Sequence, residues 1–224
     1  MNCRLCDSAC SIELFSDDFR SYFHCEKCGL IFVPARDHVC GDEEKSRYDL
    51  HDNSACHEGY VRFLNEIVTI IEAQCSPSDH LLDYGSGKNS VLSRILKERG
   101  YGCTAYDPLY GIGAGALAKS YDAIILNEVI EHVRDLRNEA LLIKKAAGNT
   151  GTIIIRTRRY PSLDTFSGWW YKNDITHINF FSRQTLTHFA AMVGRENVLP
   201  CGENIFLLPV GREASNRRPA VTGL

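Results

Sequence analysis

His80-Leu81-Leu82-Asp83-Tyr84-Gly85-Ser86-Gly87 decides the fold of this chain: a short apolar run ends in an acid and opens into two glycines. The segment that follows, Val91-Leu92-Ser93-Arg94-Ile95-Leu96, sets apolar residues at helical spacing and stops at Gly100, a residue suited to a helix C-terminus. The pattern reads as strand, glycine turn, helix. Glycine lets the backbone adopt positive φ and lets a ligand approach with no Cβ in the way. The helix N-terminus then offers free N–H groups and the positive end of its dipole, so a nucleotide-like ligand is expected there.

Outward from that turn, strands and helices alternate. A helical stripe of Tyr60, Phe63, Leu64, Ile67, Val68 and Ile71 fills residues 57–75 and is stopped by Ser76-Pro77. Strands are expected at 103–106, ending at Asp107, at 123–126, and at 152–156, where β-branched residues suit a buried parallel strand. Helices are expected from about residue 136 to Ala147 and from the cap Ser182 to Val193. Segments 197–201 and 204–210 can form a closing antiparallel pair. The segment Tyr110–Lys119 is short and rich in glycine and alanine. The fold class is therefore α/β, a doubly wound and mostly parallel sheet with ligands expected at the carboxyl ends of its strands.

Four regions follow: a small N-terminal module at 1–40, a polar linker or cofactor-covering segment at 41–56 expected to be irregular, a core at 57–210, and a disordered tail at 211–224. The module carries Cys3, Cys6, Cys25 and Cys28 in the pattern C-x2-C-x18-C-x2-C. Two such knuckles can place four thiolates on one tetrahedral zinc ion, a closed shell that makes the metal structural. Gly29 stands where the second knuckle must turn. Cys10, His24, His38 and Cys40 are substitute ligands, and Cys40, Cys56, Cys75, Cys103 and Cys201 read as small apolar residues or surface thiols. This distribution of cysteines favours a metal site in a reducing compartment over a disulfide framework.

The formal charge of −3 gives no sign of an overall basic protein. No apolar run approaches the roughly 20 residues that span a bilayer, and no signal-peptide pattern opens the chain, so a cytoplasmic location is expected.

Asp83 precedes the first glycine by two residues, and Asp107 ends the second core strand, where an acid can accept from both ribose hydroxyls. Asn127 and Glu128 end the next strand on the same side. With these residues the chain resembles the class I S-adenosylmethionine-dependent methyltransferases. Leu81–Gly87, Asp107 and the run Tyr121-Asp122-Ala123-Ile124-Ile125-Leu126-Asn127-Glu128-Val129-Ile130-Glu131-His132-Val133 carry the resemblance, which spans about residues 60–210. It implies a Rossmann-like core in which Asp83, Gly85 and Gly87 contact the methionine part of the cofactor and Asp107 holds the ribose. Asn127, Glu128 and Tyr48 join this cofactor set, Tyr48 and His51 as gate residues. The alternative, a dinucleotide site of the G-x-G-x-x-G type, has Ser90 at the third glycine position.

The block from Trp170 to Ser182 is similar to one that borders the acceptor pocket in bacterial small-molecule methyltransferases. Within it, Asp174 can orient His177 as a general base, or His177 can cap local backbone while the tryptophans pack as a cover. His132 is a further candidate for the chemistry or a packing group over the cofactor edge. Arg156, Arg158 and Arg159 form a local positive group, facing either an anionic substrate or solvent. The expected partner is a small-molecule acceptor, sugar-like or another secondary metabolite; the four-cysteine knuckle ahead of this core resembles that of sugar C-methyltransferases, which carry a further large C-terminal domain. Nucleic acid and membrane are not expected partners: the module sets Glu13, Asp17, Asp18, Glu26 and Asp37 against Arg4, Arg20, Lys27 and Arg36. An RNA or protein methyltransferase that docks through the module, and a non-catalytic cofactor-binding scaffold, are the competing functions.

Overall fold

The structure, a computed structural model, describes residues 1–49 and 57–211. Five strands, β4 (His80–Tyr84), β5 (Gly102–Tyr106), β6 (Ala123–Asn127), β7 (Thr152–Arg156) and β10 (Ile205–Leu208), join β9 (Leu199–Pro200) in one sheet of order β5-β4-β6-β7-β10-β9. The pairs β4–β5, β4–β6 and β6–β7 are parallel, whereas β10 runs antiparallel to β7 and β9. This is the expected mostly parallel α/β sheet with its antiparallel closing pair.

Side chains alternate across the sheet with the period of two that a strand imposes. Ala123 and Ile125 face the helices α2 (Glu58–Gln74) and α3 (Val91–Glu98). Ile124 and Leu126 face α4 (Leu136–Ala147) and α5 (Arg183–Met192). The helix starts are set locally: Asp135 caps α4 by accepting from the Asn138 N–H, and Ser182 and Thr185 form a reciprocal capping box on α5. Between Asp107 and Ala123 the chain holds one short 3-10 turn, Ala116–Ala118, and the bridge of Asp107 to Ile112.

The N-terminal strands β1 (Ser11–Ser16), β2 (Ser21–Cys25) and β3 (Ile31–Phe32) form a second sheet, whose fourth member is β8 (Asn179–Phe180). The cysteine module is thereby stitched to the core. Leu5, Leu30 and Phe32 pack in the same apolar cluster as Phe181, Leu186 and Ile155.

One expectation needs correction. Residues 41–49 are not irregular but form helix α1 (Gly41–Asp49). Asp42, Glu43 and Glu44 lie in its first turn and Arg47 in its last, which complements the helix dipole, yet no residue of it is buried. It carries no apolar stripe, so the periodic signal that marks a helix is missing. His51 and Cys56, and the tail from residue 212, lie outside the described residues. Among the described residues, no helix is long and apolar enough to cross a membrane.

Candidate functional site

A cleft of about 1200 Å³ opens at the carboxyl ends of β4, β5 and β6. Asp83, Gly85, Gly87, Asp107, Asn127, Glu128, Tyr48, His132, Asp174 and His177 all line it. Residues scattered over 130 positions of sequence therefore meet at one site.

The glycine loop is built by backbone. Gly85 and Gly87 hold φ of +73° and +67°. The Gly85 and Ser86 N–H groups both donate to the Tyr106 carbonyl, at 2.8 and 3.0 Å, which ties the loop to the end of β5. A Cβ on Gly85 would come within 2.6 Å of Val129, whereas one on Gly87 would meet nothing within 4 Å. The Gly87 backbone is thus presented to the cleft. Asp107 fixes its position: Oδ2 accepts from the Gly87 N–H at 2.9 Å, and Oδ1 accepts from Leu109 and Tyr110 at 3.0 and 3.3 Å.

Asp83 sits beneath the loop and accepts from the Ser93 N–H at 3.1 Å. Burial pushes its carboxyl up to about 7. A folded-state value above the unfolded one means that the folded protein binds this proton more tightly. The contribution is fully present below about pH 4 and is lost as pH rises through about 7. Asp83→Asn keeps an acceptor for Ser93 and removes the charge. Its melting temperature is expected to exceed that of the parent protein at pH 8, by an amount on the order of 3 kcal/mol in stability, and to converge with it near pH 4. A gap that does not grow with pH would contradict a buried, reluctantly ionised Asp83.

The opposite wall is a titratable cluster. Glu128 holds a left-handed φ of +55°, a strained geometry for a residue with a side chain. Burial raises its carboxyl, and burial together with the neighbouring Glu128 raises that of fully buried Glu131 further. The Tyr171 hydroxyl contacts both, Glu128 at 3.1 Å and Glu131 more closely. Burial, reinforced by His177, pulls His132 down to about 3. The two imidazoles lie 4.7 Å apart, and the Tyr48 ring meets His132 edge-on at 5.2 Å.

Asp174 accepts from the Thr176 N–H and hydroxyl, at 3.0 and 2.7 Å. His177 is oriented by its Nδ1, 2.7 Å from the Tyr171 carbonyl oxygen. Arg156, expected near substrate or solvent, does neither: it is 2% exposed and donates to Glu66, to the Phe63 carbonyl and to Asn127. Arg158 reaches the cleft beside Trp170. Tyr171 was not singled out for the site by sequence, since an aromatic run carries no mark of which ring turns inward.

The four cysteines are all free thiols, and one sulfur from each lies within 4.8 Å of the others. The Cys3–Cys28 and Cys6–Cys25 sulfurs are 3.5 and 3.6 Å apart. Sulfurs at about 2.3 Å from a tetrahedral ion stand about 3.8 Å from one another, so the set fits one zinc ion. The two knuckles match: the Asp7 and Gly29 N–H groups return to the Cys3 and Cys25 carbonyls at 3.0 and 2.8 Å, and both residues have left-handed φ.

A family model described as a methyltransferase domain matches residues 53–199. No curated protein matches the chain. Among solved structures, an O-methyltransferase family protein from Burkholderia thailandensis is similar with a TM-score of 0.51 and 16% identity, over 75% of this chain and 62% of that one. A protein from Pyrococcus horikoshii OT3 is similar with a TM-score of 0.50 and 13% identity, over 73% and 96% of the two chains. CalO1, a methyltransferase in calicheamicin biosynthesis solved in an S-adenosylhomocysteine-bound form, gives a TM-score of 0.46 and 10% identity over 78% and 63%. The chain spans 63% of that protein and 53% of a coclaurine N-methyltransferase, less than two thirds of each.

Proposed function

The chain belongs to the methyltransferase-domain family, and from that premise we propose that it transfers the methyl group of S-adenosylmethionine to a small-molecule acceptor. The observation that carries this reading is the single cleft that joins the Asp83–Gly87 loop and Asp107 on one side to Asp174, His132 and His177 on the other. When bound, S-adenosylmethionine supplies an electrophilic methyl group on a sulfonium, open to in-line displacement by a nucleophile.

Gly85 and Gly87 give the methionine part of the cofactor a wall of backbone, and Asp83 braces that loop from beneath through the Ser93 N–H. Asp107, its carboxylate already aimed by three N–H groups, keeps acceptor capacity for ribose hydroxyls. Asn127 and Glu128 line the middle of the cleft, and Tyr48 on α1 covers it. Holding the nucleophile near contact and in line is the main source of rate in such a transfer. His177, positioned with Asp174 and beside His132, stands where a proton leaving the acceptor would be taken. The cysteine module holds a structural zinc and is not basic, which favours a small acceptor over RNA.

Titration calorimetry with S-adenosylhomocysteine, with NAD as control, tests the donor side. Micromolar or tighter binding of the first and none of the second is expected; binding of NAD instead, or of neither, refutes the reading. Labelled methyl groups should then appear in a small-molecule fraction of a cell extract rather than in RNA or protein.

A further inference from the structure

Three side chains from two distant segments converge on the wall of the cleft that faces the glycine loop. One ligand atom each from Glu131, His132 and His177 lies within 4.8 Å of the other two. His132 and His177 border the cleft, and Glu131 lies fully buried behind them.

The two imidazoles share a tautomer. His132 Nδ1 is 3.1 Å from the Thr176 carbonyl oxygen, and His177 Nδ1 is 2.7 Å from that of Tyr171. A carbonyl only accepts, so each Nδ1 carries the proton and each Nε2 keeps its lone pair. A backbone carbonyl behind Nδ1 is the arrangement that orients a histidine for metal ligation through Nε2.

The carboxyls around them are short of hydrogen-bond donors. Glu128 Oε2 and Glu131 Oε1 both approach the one hydroxyl of Tyr171, which has a single proton to give. Glu131 Oε2 is buried with no hydrogen-bond partner. A buried carboxylate oxygen without a donor is costly unless a proton or a cation meets it. The backbone holds these groups in place: the Ile178 and Asn179 N–H groups both donate to the Glu131 carbonyl, at 2.9 and 3.0 Å, and the Asn179 amide donates to the Ile130 and Val133 carbonyls.

We propose that Glu131, His132 Nε2 and His177 Nε2 bind one divalent transition-metal ion, with its remaining coordination positions open to the cleft. Two imidazoles and one carboxylate suit iron, manganese, cobalt, nickel or zinc rather than magnesium or calcium. The site is distinct from the four-thiolate set. With Nε2 on the ion, His177 no longer takes the acceptor's proton, so the metal replaces the general-base role given to it above. That an open position receives an oxygen of the acceptor, aligning it and easing loss of its proton to solvent, rests on the methyl-transfer reading, whereas the binding of the ion does not.

Cobalt(II) is the probe, added to protein whose cysteines already hold zinc. The expected result is one further equivalent bound, with weak visible d–d bands and no sulfur-to-cobalt charge transfer in the near ultraviolet. Glu131→Gln and His132→Gln are each expected to weaken this binding by about 100-fold or more. His80→Gln, at an exposed histidine outside the cleft, should leave it unchanged. Circular dichroism on every variant separates loss of binding from loss of fold. No cobalt beyond the thiolate site in the parent protein, or d–d bands that survive in both folded ligand variants, overturns the proposal. S-adenosylhomocysteine binding is read on the same parent sample: tight binding with no second cobalt overturns the metal site alone, and cobalt bound with no affinity for S-adenosylhomocysteine overturns the methyl-transfer reading alone.

Discussion

Cys28→Ser is expected to release the zinc ion and to lower the melting temperature by more than about 10 °C. A structural four-thiolate zinc contributes on the order of 10 kcal/mol to folding, while a whole domain is stable by about 5–15 kcal/mol. For a chain of this size, each kcal/mol lost moves the midpoint by roughly 2–4 °C. Cys28 is fully buried, and its sulfur is 3.5 Å from that of Cys3, so serine takes one of the four thiolates out of the interior of the set. The damage should travel along β2 to the acceptor side of the cleft. Arg20, 7% exposed on that element's approach, donates to the carbonyls of Asp174, Ile175 and His177 at 3.2, 3.0 and 2.9 Å, and to that of Lys172. The loop that carries His177 is therefore gripped from the cysteine module. Turnover is expected to fall further than affinity for S-adenosylhomocysteine. Elemental analysis and a thermal melt check this; a parent protein free of zinc, or a serine variant that melts with it, would sink the structural role.

The second large effect is expected at Asp107. Asp107→Ala leaves three backbone N–H groups, of Gly87, Leu109 and Tyr110, without the carboxylate that fixes them. Each such loss costs about 1–3 kcal/mol, and the ribose acceptor goes with it. The dissociation constant for S-adenosylhomocysteine should rise by about 100-fold or more, equivalent to roughly 2.7 kcal/mol. Asp107→Asn is a sharp companion. Its amide can satisfy Leu109 or Gly87 with oxygen but must turn an NH2 toward the other donor, so it should bind only slightly better than alanine. Calorimetry on both variants decides, and retention of affinity within about threefold in alanine would remove Asp107 from the cofactor set.

Much of this was legible in the sequence because its signals are local. The 80–87 turn, the helical stripes and the β-branched strand at 152–156 each declare themselves within a dozen residues. The C-x2-C knuckles do the same. What escaped depends on pairings between distant segments. Glu131-His132 and Asp174–His177 read as separate clusters, and hydrogen bonds between the two segments, among them those from residues 178 and 179 to Glu131 and that of His132 to the Thr176 carbonyl, bring them together. Arg156 looks in sequence like its neighbours Arg158 and Arg159, yet the sheet turns it inward onto Phe63 and Glu66. Helix α1 is held by polar contacts such as Arg134 to Glu44 at 2.7 Å, which leave no apolar period to read.

The two-residue strand β8 has a consequence for how the protein is made. It pairs Phe180 with Ile31, and Arg20 reaches carbonyls more than 150 residues downstream. During synthesis the N-terminal strands leave the ribosome long before their last sheet partner exists. Until then β3 presents an open edge, and its buried neighbours Leu30 and Val33 lack their cover. Contacts this remote in sequence close slowly, and a partly built sheet of this kind is open to pairing with another chain. Expression at high rates should therefore put the nascent protein at risk well before any step of its chemistry is reached.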